Sequence, residues 1–331
     1  MSRSKWFGVR KRYWFTVFLL FVLIILIRLL TIQMMFICVF DYEKVFLSPN
    51  ENHFAGKKHI TKLSSSFNCS KEHLKLLVLV TSNISNFDRR ETIRRTWGKP
   101  LNKHFNNDFR TFFMLSKSPD KEIMKTMEEE SAKHGDIIIC DFFEDFYQLS
   151  FKVEAAFEWA HIYCSYEYLL KSDDDVYVNL FNLFELLVNK DTPKKNLYLG
   201  YHHQQPRVSR SGKYKVELHE YGSNCYPDYC AGGAVVLSSD LIEKMLLYFQ
   251  PVPLKIDDAY IGILVKNAGA KPTHNEGFRF FAESCSFEEF TIAHHPAKTR
   301  VCMEKIHYGM LEKNNENEFV RKHYIENNSL K

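Results

Sequence analysis

The stretch Lys171-Ser172-Asp173-Asp174-Asp175-Val176-Tyr177-Val178-Asn179 decides how this chain is read. Three adjacent carboxylates follow the mostly apolar run Tyr166 to Leu170 and precede alternating apolar residues, which places them where a buried strand surfaces. In extended backbone the side chains of Asp173 and Asp175 point to one face and that of Asp174 to the other, so two hard oxygen ligands converge on one point. Such a pair suits Mg²⁺ or Mn²⁺ carrying a phosphate-bearing substrate. Taken alone, the triplet also fits a solvated acidic turn, as most short charge runs do. The rest of the chain has to separate the two.

Working outward, Leu74 to Val80 is apolar but for one lysine and closes on Thr81-Ser82-Asn83, which predicts a strand buried on both faces. Helical patterns follow at Phe87 to Thr96 and, past a strand at Arg110 to Leu115, at Lys121 to Lys133. A strand at Asp136 to Cys140, a helix from Gln148 to Cys164 and the strand that ends at the triplet come next. Strands alternating with helices predict an α/β sheet of mainly parallel strands, with ligands at their carboxyl ends. Downstream lie a helix near Phe181 to Asn189, a strand at Leu197 to Gly200, and a polar stretch to Asn224 read as a mobile loop or a hairpin. A Gly-rich turn at Cys230 to Ala234, a strand at Val235 to Leu237, a helix from Ser239 to Phe249 and a β-like run at Phe290 to Ala293 complete the pattern.

The 331 residues suffice for one large core or two smaller ones, and a formal net charge of +4 is too weak to argue for nucleic acid as a partner. Much of that charge precedes the apolar run that starts at Trp14, which orients the N-terminus to the cytosol and the remainder to the lumen. Residues 1–13 read as a cytosolic tail, 14–32 as a signal-anchor transmembrane helix, 33–73 as a stem, 74–312 as a lumenal catalytic domain and 313–331 as a polar C-terminal tail. No small-x-small cleavage pattern follows the apolar core. Apart from Cys38, the cysteines would meet an oxidising lumen, so disulfides are expected. Their odd number leaves a thiol unpaired or paired between chains, as in a homodimer. Asn68, Asn83 and Asn327 open glycosylation sequons.

Three further groups can carry chemistry. Asp257-Asp258 lies against apolar neighbours and offers a general base, or equally an N-cap for the helical run Ala259 to Asn267. His294-His295 ends the β-like run, and an imidazole joining two Asp would favour Mn²⁺, although such a pair also fits packed surface histidines. Arg90 and Arg94 stand four apart, so on a helix they share a face that can hold a diphosphate or a carboxylate partner, or simply form an exposed basic face. Gly232 and Gly233 would let backbone approach a sugar closely, or make a plain tight turn.

The ordered set resembles the β-1,3-galactosyltransferases, family 31 of the glycosyltransferases. It comprises Arg90-x-x-Ile93-Arg94-x-Thr96-Trp97-Gly98, Gly135-Asp136-Ile137-Ile138 with Asp141-Phe142, and Asp145-x-Tyr147-x-Leu149-x-x-Lys152. The Lys171-x-Asp-Asp-Asp triplet, Tyr226-Pro227-x-Tyr229-Cys230-x-Gly232 and Asp258-x-Tyr260-x-Gly262 follow, so the likeness runs roughly from Leu74 to Cys302. The resemblance implies a GT-A type fold, a Rossmann-like mixed sheet flanked by helices, in a single-pass type II protein of the Golgi membrane. It implies an inverting enzyme that uses Mn²⁺ and a UDP-sugar donor and acts on an acceptor glycan of a glycoprotein or glycolipid. By position it assigns Asp173, Asp175 and His294 to the metal, Asp258 to the base, and Arg90, Arg94, Lys152, Asp173 and Asp174 to the nucleotide side. It also pairs Cys69 with Cys164, while the cysteine often found just after the Asp258 motif is absent here, which turns Cys285 towards Cys230. Galactose ranks first as donor sugar, with N-acetylglucosamine and N-acetylgalactosamine as alternatives. A silent lectin-like or chaperone-like lumenal protein and a metal-dependent phosphohydrolase are the readings from other classes.

Overall fold

A computed structural model describes residues 14–29, 47, 49, 60–63, 69, 73–99 and 108–313. Its strands are β1 (Ile60–Leu63), β2 (His73–Thr81), β3 (Phe109–Lys117), β4 (Ile137–Phe143), β5 (Ser165–Asp173) and β6 (Tyr177–Val178). Five more follow as β7 (Tyr198–His203), β8 (Tyr229–Ser238), β9 (Thr273–His274), β10 (Phe278–Arg279) and β11 (Ala293–His294). The helices are α1 (residues 14–29), α2 (Phe87–Arg95), α3 (Lys121–His134), α4 (Leu149–Tyr163), α5 (Leu180–Val188), α6 (Ser239–Leu246), α7 (Asp257–Asn267) and α8 (residues 300–313).

An eight-stranded sheet runs β1-β4-β3-β2-β5-β8-β7-β9, and a small one runs β10-β11-β6. The half from β4 through β5 is parallel, as alternating strands and helices predict, whereas β8 pairs antiparallel with both β5 and β7. β2 explains the layering. Its residues Leu76, Val78 and Val80 enter one core with Ile93 and Trp97 beside α2 and Leu183 of α5, while Leu77 and Leu79 enter another with Phe157 of α4 and Leu241 of α6. A strand buried on both faces needs no polar alternation, which is why this segment reads as a continuous apolar run. The register sets Thr81 beside Asp173, so the carboxyl ends of β2 and β5 finish level at one cleft.

Several expectations change. The glycines of Cys230–Ala234 do not turn the chain; they lie inside β8, where their carbonyls accept from the Lys171 and Ser172 side chains, and their use is the missing side chain. Residues 204–224 are neither a mobile loop nor a regular hairpin. Arg210 donates to the carbonyls of Val216, Tyr221 and Ser223, and Val208, Val216 and Tyr221 pack against Tyr226, Ala259 and Ile263. The Phe290–Ala293 run yields only the two-residue β11. Within 14–32 a helix is described over 14–29, about 24 Å long at 1.5 Å per residue, and no helix among the described residues is long and apolar enough to cross a membrane. The cytosolic tail and most of the stem lie outside the described residues.

Cys69 bonds Cys164 across 95 residues, as the family resemblance implies. Cys285 pairs with Cys302 of α8, not with Cys230. Cys230 points instead into the core beside Tyr198, whose hydroxyl accepts the Cys230 backbone N–H at 2.9 Å, and it stays a buried free thiol. The Cys69–Cys164 bridge closes a long loop and ties the approach to β2 to the end of α4, so it restricts the unfolded chain strongly. Replacing both cysteines by alanine should lower the unfolding free energy of the folded domain by about 2–5 kcal/mol in urea titrations.

Candidate active site

The Asp triplet divides as strand alternation requires, but with three different employments. Asp173 takes hydrogen bonds on Oδ1 from Thr81 at 2.6 Å and Lys171 at 2.8 Å. Burial pushes its pKa up against the pull of Lys171. Because 39% of the side chain still opens to the cleft, that burial is the depth of the cleft floor and not full enclosure. Asp174 turns the other way. Ser82 and Asn86 donate to Oδ2 at 2.7 and 2.8 Å, and Arg89 donates to Oδ1 at 2.7 Å, so this carboxylate pins the loop between β2 and α2. The expected nucleotide-side role for Asp174 therefore meets a carboxylate whose oxygens are already occupied. Asp175 faces His295, with Oδ1 and Nε2 3.7 Å apart.

Behind the triplet lies a residue to which the sequence reading attached no role. Lys171 is 1% exposed, and its ammonium donates to Asp173 at 2.8 Å, to the Gly232 carbonyl at 2.7 Å and to Asp257 at 3.3 Å. Burial alone would lower its pKa, but the surrounding carboxylates outweigh that and hold it charged. Asp257 and Asp258 form the first turn of α7, whose N-cap is Ile256 with no side-chain cap, so neither aspartate serves as the cap. The helix N-terminus nevertheless favours their negative charge. Burial and the neighbouring Asp257 charge push Asp258 up to about 7, opposed by Lys171 and by a hydrogen bond from the Gly232 backbone. A Cβ at Gly232 would stand 1.7 Å from Asp258 Oδ1, so only glycine leaves room for this carboxylate against β8.

The basic residues expected at the nucleotide are committed elsewhere. Arg90, fully buried, donates to both oxygens of Glu130, to Ser82 Oγ and to the carbonyls of Asn83 and Ile84, which uses its whole fork. Arg94 holds Asp136 through two nitrogens at 2.8 Å each and Glu130 through the third at 2.7 Å. Burial would raise the Glu130 pKa, but Arg90 and Arg94 hold it below the usual carboxylate range. Lys152, 2% exposed, bonds Glu144 and the Ser82 carbonyl. The i,i+4 face of α2 is thus an internal clamp onto α3 and β4. Two acids, Glu130 and Asp136, 36 to 42 residues away in sequence absorb it, and no local pattern announces that.

His294 and His295 also exchange places. His294 is 1% exposed in β11 opposite Tyr177, its ring nitrogens make no hydrogen bond of acceptable geometry, and burial lowers its pKa. His295 instead bonds the Phe280 carbonyl through Nδ1 at 2.9 Å and stacks on that ring with centroids 4.6 Å apart. A carbonyl only accepts, so Nδ1 carries the proton, and Nε2 is the ring nitrogen that faces Asp175. Among the described residues no group of three or more His, Cys, Asp or Glu is arranged to hold a metal ion. Asp175 and His295, 3.7 Å apart, nonetheless offer an oxygen and a nitrogen that would suit a divalent transition-metal cation.

The family model for galactosyltransferases matches residues 88–276, and the chain belongs to this family, glycosyltransferase family 31. It is 30% identical to the UDP-GlcNAc:betaGal beta-1,3-N-acetylglucosaminyltransferase 7 of Rattus norvegicus, over 79% of this chain and 72% of that protein. It is 31% identical to the UDP-GalNAc:beta-1,3-N-acetylgalactosaminyltransferase 1 of Homo sapiens, over 68% and 66%. To the human Beta-1,3-galactosyltransferase 9 it is 32% identical, over 65% and 59%. Its relatives are therefore β-1,3-glycosyltransferases that differ in the sugar they are named for.

The Arg90–Glu130–Arg94 clamp yields a direct test. Glu130→Ala strands two buried guanidinium groups and should destabilise the domain by about 3–5 kcal/mol in denaturant titrations. UDP affinity of the folded protein should not change, because Arg90 and Arg94 are buried against internal partners.

Proposed function

We propose that this chain is an inverting glycosyltransferase that moves a hexose, galactose in the first instance, from a UDP-sugar to the 3-hydroxyl of an acceptor glycan in β linkage. The observation that carries this reading is the juxtaposition of two acidic clusters about Lys171, with Asp258 seated on Gly232 and its pKa at about 7. A base poised near neutral pH is what proton removal from a sugar hydroxyl asks for. N-acetylglucosamine is the alternative donor, favoured by the rat relative named for it. The basic residues ahead of the apolar run at 14–32 support a type II anchor with the catalytic domain in the lumen, and membership of family 31 supports a Golgi address and a GT-A type fold.

Asp175 and His295 would hold Mn²⁺ together with the donor's phosphates, with Asp173 facing the same cleft. When bound, the ion neutralises charge that gathers on the departing UDP. The chain's own residues do the rest. Asp258 orients the acceptor hydroxyl and takes its proton as the oxygen bonds to the anomeric carbon and the bond from that carbon to the UDP oxygen breaks. A single displacement inverts the configuration. Lys171 keeps Asp173 and Asp257 from repelling each other and so holds the two halves of the cleft in register. Gly232 gives Asp258 a backbone donor and the space to turn.

Asp258→Asn should retain UDP affinity and lose transfer by at least about a hundredfold, whereas Asp175→Ala should lose Mn²⁺-dependent UDP binding as well. Calorimetry with UDP and a transfer assay with each UDP-sugar read the two variants apart. Normal turnover by either protein contradicts its role.

The base must be ionised to act, so kcat/KM should fall as pH drops below about 7. Asp257→Asn removes a like charge beside the base, lowers the Asp258 pKa and should move that acid limb to lower pH. A limb that stays in place or moves upward in pH–rate profiles contradicts Asp258 as the base.

A further inference from the structure

On the far side of His295 from Asp175, the ends of β7, β9 and β10 enclose a cavity of about 600 Å³, within the ~300–1,000 Å³ range of small-molecule sites. Its wall is aromatic. Tyr201 lies parallel to Phe280 at 6.1 Å and edge-on to Phe281 at 5.7 Å, while Phe280 and Phe281 meet edge to face at 4.9 Å. Phe281 is 67% exposed, an apolar ring presented to solvent beside rings that pack against one another. The rim is polar, with His202, His274 and Glu276.

The cavity adjoins the proposed chemistry. Phe280 stacks on His295, and a Cβ at Gly233 would stand 3.2 Å from Phe280 and 3.5 Å from His295. Gly233 follows the glycine on which Asp258 sits. A ligand in this cleft is therefore a short step from the base and lies across His295 from the carboxylates that face the donor's phosphates. Arg279, the cation in its lining, is ion-paired with Glu288, so the cleft offers an anion little. The exposed Phe281 ring, backed by Tyr201 and Phe280 above a polar rim, suits a neutral pyranose, whose axial C–H groups form one apolar face and whose hydroxyls project from the edge.

Resting on the glycosyltransferase reading above, we infer that the Tyr201–Phe280–Phe281 cleft binds the second sugar of the acceptor, the ring next to the one that is attacked. A disaccharide is then the smallest good acceptor. The donor sugar is excluded from this place because its pyrophosphate must lie over Asp173 and Asp175.

The test uses full-length enzyme with Mn²⁺, the UDP-sugar that it turns over, and four probes: methyl β-galactoside, methyl β-lactoside, methyl N-acetyl-β-glucosaminide and methyl β-chitobioside. The disaccharide of the accepted pair should show the lower KM. Phe281→Ala and Tyr201→Ala should each raise that KM about threefold to tenfold, as loss of one ring contact implies, and bring it towards the monosaccharide value. UDP affinity in both variants should stay at the wild-type level, which also certifies the fold. An unchanged ratio of disaccharide to monosaccharide KM in both variants overturns the inference, as does a protein that binds UDP and transfers to none of the four. Loss of Mn²⁺-dependent UDP binding in the unsubstituted enzyme overturns the glycosyltransferase reading itself.

Discussion

The ammonium of Lys171 is the interaction on which the cleft depends. It is enclosed between β5, β8 and the first turn of α7, and it binds one carboxylate from the triplet, one from Asp257-Asp258 and the carbonyl of Gly232. Without a buried cation, acids gathered this closely would repel one another or take up protons, and the sheet end would not close around them. A lone buried ammonium would be no better. Each charge makes the other tolerable, and that mutual requirement holds together elements 61 and 86 residues apart in sequence.

A second group of charges does unrelated work a strand away. Arg90 and Arg94 close on Glu130 and Asp136, and Asp174 closes on Ser82, Asn86 and Arg89. Together they fasten α2 and the loop before it to the sheet end. The cleft is thus rimmed by a loop that buried ion pairs hold in place, so that Thr81 stays level with Asp173. Residues that look like ligands for phosphate are here the means by which this rim of the cleft keeps its shape.

Much of the architecture was legible because apolar runs and their punctuation are local properties. The strand over Leu74–Val80, the helix over Lys121–Lys133 and the strand ending at the triplet stand close to their expected bounds. Asp120 caps the helix that follows it, and Gly135 ends that helix in the left-handed region at φ 69°. The misreadings share one cause. Cys230–Ala234 looks like a turn because glycine favours turns, yet here it serves packing against Asp258 on a strand that pairs on both edges. Cys285 looked towards Cys230, whereas α8 brings Cys302 to it.

The sequence by itself determined that an acidic triplet stands at a strand end of an α/β sheet, among motifs in an order that marks one family, because strand alternation and motif order are written in the chain. Tertiary structure alone decided which acids face the cleft, that His295 and not His294 turns to Asp175, that Arg90, Arg94 and Lys152 are spent internally, and that Lys171 stands at the centre. The physical reason is that a charged side chain takes the partner that relieves its burial, and that partner is chosen by packing between segments far apart in sequence.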